Sequence, residues 1–107
     1  MTLDLSSVFA ARRAIAGKVT RTPLVPAFSL SDAYTEVRLK LETTQPTGAF
    51  KLRGATNAVS RLTPEQLARG VICASTGNHG RALAWAASQA GGRATICMSS
   101  LVPENKV

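Results

Sequence analysis

The chain has 107 residues, of which 45% are hydrophobic, and its 13 lysines and arginines against 6 acidic residues give a formal net charge of +7. This length suits one small domain, which buries only about two-thirds of its unfolded surface on folding. The basic residues are scattered among few aromatic ones, so a solvated basic surface is favoured over a nucleic-acid-binding module. Neither a signal peptide nor a bilayer-spanning apolar stretch is found, which predicts a soluble, cytoplasmic protein without a membrane partner.

A helix is the first predicted element. Either Asp4 or Ser6 can cap its N-terminus, and the pattern continues through Ala16, where Gly17 is a natural stop. An extended segment follows, because the residues before Pro23 and Pro26 avoid the helical region.

The next predicted element is a strand. Residues 37–41 alternate apolar and charged side chains, a period of two that indicates a half-buried strand. A turn of small residues then leads to Lys51, immediately before a helix predicted over Gly54–Leu62. A reactive lysine would be expected in such a position.

The second half of the chain predicts an α/β arrangement. In order, it contains a short helix that starts at Thr63 and ends at Gly70, a buried strand Val71–Ala74, a helix Asn78–Ala90 and a strand Ala94–Met98. Strand, helix and strand in this order are typical of a parallel βαβ unit.

Neither the cysteines nor the histidine predict a metal site. Cys73 and Cys97 lie in apolar runs without CxxC spacing, so both are predicted to be buried free thiols. His79 is the only histidine, which excludes a site built on a histidine pair. Trp85 and Met98 are predicted to be core residues.

Two ordered motifs carry a family resemblance. The segments are Lys40-Leu-Glu42 with Thr47-Gly-Ala-Phe-Lys-Leu-Arg-Gly-Ala55, and Ala74-Ser-Thr-Gly-Asn-His-Gly80. The chain resembles the fold-type II (tryptophan synthase beta-like) pyridoxal-phosphate enzymes, in particular their serine/threonine dehydratase branch. The resemblance implies an α/β fold with an incomplete parallel βαβ sheet, in an N-terminal fragment of a two-domain enzyme about three times longer.

The resemblance also implies a cofactor site. Lys51 corresponds to the lysine that binds pyridoxal 5'-phosphate covalently, and this amine can serve as the catalytic base. Asn78 resembles the asparagine that contacts the cofactor, although it could equally cap a helix. Phe50 resembles a residue packed against the cofactor, and a core phenylalanine is the equally good alternative. Arg53 and Asn57 resemble residues that position the helix.

A substrate loop is implied at the second motif. It comprises Ser75, Thr76, Gly77, Asn78 and His79. Backbone N–H groups at a helix N-terminus suit a substrate carboxylate. For Thr76, ordinary turn hydrogen bonding is an equal alternative. Its threonine replaces a serine of serine-racemizing relatives, which disfavours racemase activity.

The implied function is a PLP-dependent ammonia-lyase that converts a β-hydroxy amino acid, such as threonine or serine, to a 2-oxo acid and ammonia. Thr76 and residues 43–47 also resemble hydroxyectoine-utilization dehydratases. Alternatives are a racemase of the same fold and a non-catalytic remnant that pairs with a full-length subunit through its unfinished sheet.

The expected organisation follows from the resemblance. Residues 1–62 contribute the cofactor-lysine region and residues 63–107 begin the small substrate-loop domain of an enzyme that is a homo-oligomer in its full-length form. Because the family's phosphate-binding loop would lie beyond Val107, we expect the isolated chain to bind cofactor poorly and to have negligible activity. An incomplete sheet and exposed apolar surface are also expected.

Overall fold

The computed structural model describes residues 3–106. Its helices are α1 (Leu5–Ile15), α2 (Lys51–Val59), α3 (Pro64–Arg69) and α4 (Asn78–Gln89), and its strands are β1 (Leu24–Pro26), β2 (Arg38–Lys40), β3 (Val71–Ala74) and β4 (Ala94–Cys97). Short 3-10 turns cover Phe28–Leu30, Glu42–Thr44 and Glu104–Lys106. The α/β fold class predicted from the sequence is confirmed. No helix within this part of the chain has the length and apolar character needed to cross a membrane.

Helix α1 begins where the sequence predicted, and Asp4 is the residue that caps it. Its carboxylate accepts the backbone N–H of Ser7 at 2.7 Å, and the Ser7 hydroxyl accepts the Asp4 N–H at 3.3 Å. The hydrogen bond from the Ser7 N–H is the main cause that lowers the pKa of the Asp4 carboxyl, and the Ser6 hydroxyl adds to it. Gly17 follows the helix with a φ of 74°, a left-handed conformation that favours glycine.

Two separate two-stranded sheets follow from the strand pairings. β1 and β2 are antiparallel, with Val25 opposite Leu39. β3 and β4 are parallel, with Cys73 opposite Ile96, and α4 connects them as the predicted βαβ unit. The strand expected at residues 37–41 is present as β2, but its three residues are all exposed instead of half-buried.

The core lies between α2 and α4. It is formed by the buried side chains of Leu52, Ala55, Val59, Ala82, Leu83 and Ala86, with Val71, Cys73 and Ile96 of the parallel sheet packed against it. Alanines on α4 allow α2 to approach closely, and Leu52 at the start of α2 is completely buried. This packing sets the position of the first turn of α2.

One face of the parallel sheet is solvent-exposed, which corrects the predicted burial of Cys97 and of the whole strand Val71–Ala74. Side chains alternate along β3 and β4, so Val71 and Cys73 face the core while Ile72 is 70% exposed. By the same alternation Cys97 is exposed, contrary to the predicted buried thiol, whereas Cys73 is partly buried. Trp85 and Met98, predicted to be core residues, are 40% and 37% exposed. The exposed apolar surface itself was expected.

Candidate active site

Lys51 is the first residue of α2, so the helix begins three residues before the predicted start at Gly54. Gly48, with a φ of 74°, reverses the chain just before this point. Leu52 is completely buried, and this tertiary packing stabilises the first helical turn. The helix can therefore begin before Gly54, where the sequence pattern placed its start. The lysine therefore lies on a regular element, which restricts its backbone more than a loop would.

The amine of Lys51 is exposed. Its Nζ lies 5.4 Å from the centroid of the Phe50 ring, a cation–π distance, and Phe50 itself is 61% exposed. Phe50 is therefore not a core residue within the described part of the chain. Among residues 3–106, Lys51 makes no ion pair. A primary amine held at a helix start, next to an exposed ring, is available for covalent chemistry.

The second motif forms the turn between β3 and α4. The Ser75 hydroxyl accepts the backbone N–H groups of Gly80 at 2.9 Å and of Gly77 at 3.3 Å. Gly77 is the N-cap residue and Asn78 is already inside the helix, so the alternative of Asn78 as helix cap is wrong. The Asn78 side chain is exposed and free to contact a ligand.

The anion-binding capacity of this turn is smaller than predicted. The Ser75 N–H donates to the Cys97 carbonyl at 3.0 Å, which continues the sheet ladder, and the Gly77 N–H is taken by the Ser75 hydroxyl. Within residues 3–106, the N–H groups of Thr76, Asn78 and His79 donate to no acceptor. These three donors lie at the positive end of a 12-residue helix, which favours a carboxylate or phosphate.

Gly80 brings the turn close to the sheet. A Cβ added at this position would lie 2.7 Å from Cγ2 of Ile96 and 3.2 Å from Cβ of Ser75. Glycine is therefore required for α4 to pack at this distance from β4.

The two motifs lie at the same end of the structure. Pro46 and Thr47, just before α2, line an open cleft of about 380 Å³ together with Gly77 and Gly80 at the start of α4. At the other end, the last turns of both helices line a second cleft of about 260 Å³ that includes Ser60 and Gln89. The helices α2 and α4 therefore run in the same direction, and their first residues, Lys51 and Asn78, lie at the same end of the helix pair.

Thr47 and Arg81 are cleft residues to which the sequence assigned no role. Thr47 is 5% exposed, and within residues 3–106 its hydroxyl is buried without a hydrogen-bond partner. Arg81 lies one turn into α4 and lines the same cleft. Thr47 belongs to the first motif, which was the available signal, whereas nothing in the sequence places Arg81 beside it.

A network of hydrogen bonds around the Glu42 carboxylate contacts the first turn of α2 through Arg53. Arg53 donates to both carboxylate oxygens of Glu42, from Nε at 2.9 Å and from a terminal nitrogen at 2.8 Å. The Thr22 hydroxyl donates to the same carboxylate at 2.5 Å, and Gln45 donates to it at 3.2 Å. The hydrogen bond from Arg53 is the main cause that lowers the pKa of Glu42 to about 2. Arg53, which was predicted to position the helix, is itself held by this contact.

No group of three or more metal-ligating side chains occurs within the described residues.

Comparison with known proteins identifies the family. The profile described as "Pyridoxal-phosphate dependent enzyme" matches residues 15–107. A protein provisionally named threonine dehydratase from Sinorhizobium fredii is 61% identical over 98% of this chain and 32% of its own length. The catabolic L-threonine dehydratase TdcB of Staphylococcus aureus is 42% identical over 97% of this chain and 31% of its own length.

A solved structure agrees with this result. Serine racemase from Dictyostelium discoideum superposes with a TM-score of 0.91 at 33% identity, over 99% of this chain and 35% of that chain. The chain thus spans about a third of the length of the relatives it matches. It belongs to the pyridoxal-phosphate-dependent enzymes, with the fold-type II architecture and the pyridoxal 5'-phosphate cofactor that its two motifs predicted.

Proposed function

We propose that this chain is the N-terminal part of an ammonia-lyase of the threonine/serine dehydratase type and that Lys51 is its cofactor-bearing lysine. The observation that carries the proposal is the shared position of the exposed Lys51 amine and the α4 turn at one end of two parallel helices. The names of the Sinorhizobium and Staphylococcus relatives support a dehydratase over other reactions of the family.

The residues present fit the cofactor. Lys51 offers a primary amine without an acidic partner in the described residues, and Asn78 and Phe50 lie at the same end of the helix pair to contact the ring. When bound, pyridoxal phosphate withdraws electrons from the substrate's α-carbon, so that the α-proton becomes acidic enough to leave.

The chain's own residues then have distinct roles. The N–H groups of Thr76, Asn78 and His79 bind the substrate carboxylate, with Ser75 and Gly77 shaping the turn. The amine of Lys51, freed once the substrate is bound, accepts the α-proton at Nζ. Departure of the β-hydroxyl as water and hydrolysis of the remaining amino group give a 2-oxo acid and ammonia.

A chimera tests the function. This chain replaces the matching third of the Sinorhizobium protein, which is 61% identical, and formation of 2-oxobutanoate from L-threonine is measured against that parent protein. We expect activity in the chimera and its loss in Lys51→Arg, with Lys18→Arg, an exposed lysine, as matched control. Turnover that survives Lys51→Arg contradicts the proposal. The isolated chain is expected to release no measurable ammonia.

Racemization is the second candidate, because serine racemase shares the fold over nearly the whole chain. Thr76 keeps a hydroxyl but adds a methyl group relative to the serine of racemizing relatives, which favours dehydration. Supplying L-serine to the chimera separates dehydration from racemization: pyruvate indicates a dehydratase and D-serine a racemase.

Among the dehydratases, Thr76 and residues 43–47 favour the narrower branch of hydroxyectoine-utilization dehydratases.

The same resemblance supports the organisation of the whole enzyme. Residues 1–62 contribute the cofactor-lysine region, residues 63–107 begin the small substrate-loop domain, and the full-length enzyme is a cytoplasmic homo-oligomer that binds an amino-acid substrate and neither nucleic acid nor membrane. Size-exclusion chromatography of the chimera tests the oligomer.

A further inference from the structure

We infer that the ion pair between Glu42 and Arg53 is a positioning device for the Lys51 amine, which it holds through the first turn of α2. The inference rests on the proposed function of Lys51. Arg53 is two residues after Lys51 on the same helical turn, and both of its hydrogen bonds to Glu42 are shorter than 3.0 Å. A bidentate arginine–carboxylate contact fixes orientation as well as distance.

The pair ties α2 to two other segments of the chain. Glu42 opens the 3-10 turn that follows β2, and its carboxylate also accepts hydrogen bonds from Thr22 and Gln45. Gln45 in turn donates to the Thr20 carbonyl at 2.9 Å and accepts the Thr20 N–H at 3.0 Å. The start of α2 is therefore tied to distant parts of the chain, as far as the Thr20 carbonyl, 33 positions away, to which Arg53 donates at 3.3 Å.

Because Leu52 and Arg53 are fixed, the geometry of the helix also restricts the direction of the Lys51 side chain. Successive residues of an α-helix are rotated by about 100°, so residues 51, 52 and 53 point in three directions. Leu52 is completely buried against α4, and Arg53 is fixed in the network with Glu42. Two of the three directions of this turn are thus occupied, which leaves the third, solvent-exposed direction to Lys51 at the first residue of α2.

A second arginine–glutamate pair provides an internal comparison. Glu36 and Arg38 have the same chemistry and a contact of 2.7 Å, but their side chains are 65% and 55% exposed. The side chains of Glu42 and Arg53 are 18% and 33% exposed. Exposed pairs contribute little to rigidity, whereas a partly buried, multiply hydrogen-bonded carboxylate restrains its neighbours.

Covalent trapping on the full chain tests the inference. The protein is incubated with pyridoxal 5'-phosphate and cyanoborohydride, and the label on each lysine is measured by peptide mass spectrometry. Reduction makes the trapping irreversible, so weak occupancy is sufficient. Lys18, exposed at the other end of the helix pair, is the internal reference. We expect label to favour Lys51 and Glu42→Gln to lower the Lys51 to Lys18 ratio about five-fold, as expected for about 1 kcal/mol.

Three further variants separate positioning from general destabilisation. Glu36→Gln removes the exposed pair, and Leu67→Ala weakens the packing of α3 against the core; both should leave the ratio unchanged. Glu42→Asp retains the carboxylate and should restore part of the ratio. Hydrogen exchange should rise in the first turn of α2 in Glu42→Gln but stay unchanged in α4.

The outcomes are distinguishable. Selective labelling of Lys51 that is equal in the parent chain and in Glu42→Gln overturns the positioning role and leaves the proposed function standing. Labelling of Lys51 no faster than Lys18 in the parent chain overturns the inference, because no positioned amine is then present, whereas the proposed function is decided by the Lys51→Arg chimera.

Discussion

Replacement of Glu42 by glutamine should destabilise the protein in a manner that depends on pH. The pKa of Glu42 is lowered from 4.5 to about 2, mainly by its hydrogen bond with Arg53. Because one pKa unit corresponds to about 1.4 kcal/mol, this difference sets an upper limit of about 3–4 kcal/mol on the stabilisation at pH 7. Solvent reaches both side chains and screens the pair, so we expect Glu42→Gln to cost about 1–2 kcal/mol.

The sign of the pH dependence follows from the lowered pKa. A carboxylate whose pKa is lower in the folded than in the unfolded state stabilises the fold most above the unfolded value. For Glu42 the contribution is complete above pH 4.5 and is lost as the pH falls towards 2. Glutamine does not titrate, so the difference in stability between the parent chain and Glu42→Gln should shrink over this window.

Urea unfolding at a series of pH values from 2 to 7 measures this difference. Far-UV circular dichroism and the fluorescence of Trp85, the sole tryptophan, report on unfolding. Glu36→Gln is the matched control and should change stability by less than about 0.5 kcal/mol. A Glu42→Gln effect that is absent at pH 7, or equally large at pH 2 and pH 7, would show that the ionised Glu42 carboxylate does not stabilise the fold through Arg53.

Further substitutions can be checked by the same urea unfolding. Gly80→Ala should destabilise the protein by about 1–3 kcal/mol, because the new Cβ would lie 2.7 Å from Ile96. Gly54→Ala has open space around it and should stabilise the protein by about 0.5–1 kcal/mol. The opposite order of stabilities would contradict the described packing. Leu52→Ala should cost about 2–5 kcal/mol, since the side chain is completely buried. Thr63→Ala should cost about 1 kcal/mol through loss of the capping box, and an unchanged stability would show that this cap contributes nothing.

Most elements could be predicted because their signals are local. Thr63 and Gln66 form a capping box within four residues of sequence, and Gly70 ends α3 with a φ of 85°. The parallel βαβ unit followed from apolar runs separated by a helical pattern, and the family from two motifs of fixed spacing. The start of α2 was misplaced, because burial of Leu52 against α4 is a contact between residues far apart in sequence.

Local patterns along the chain were sufficient to predict the element order, the α/β class, the family and the lysine proposed for catalysis. The folded structure was needed to show how these parts meet. It paired Glu42 with Arg53, aligned α2 and α4 so that their first residues share one end, and engaged the amides of Ser75 and Gly77. It also exposed Cys97 and Trp85. The physical reason is that caps and periodicity act over a few residues, whereas burial and ion pairing depend on which surfaces come together in space.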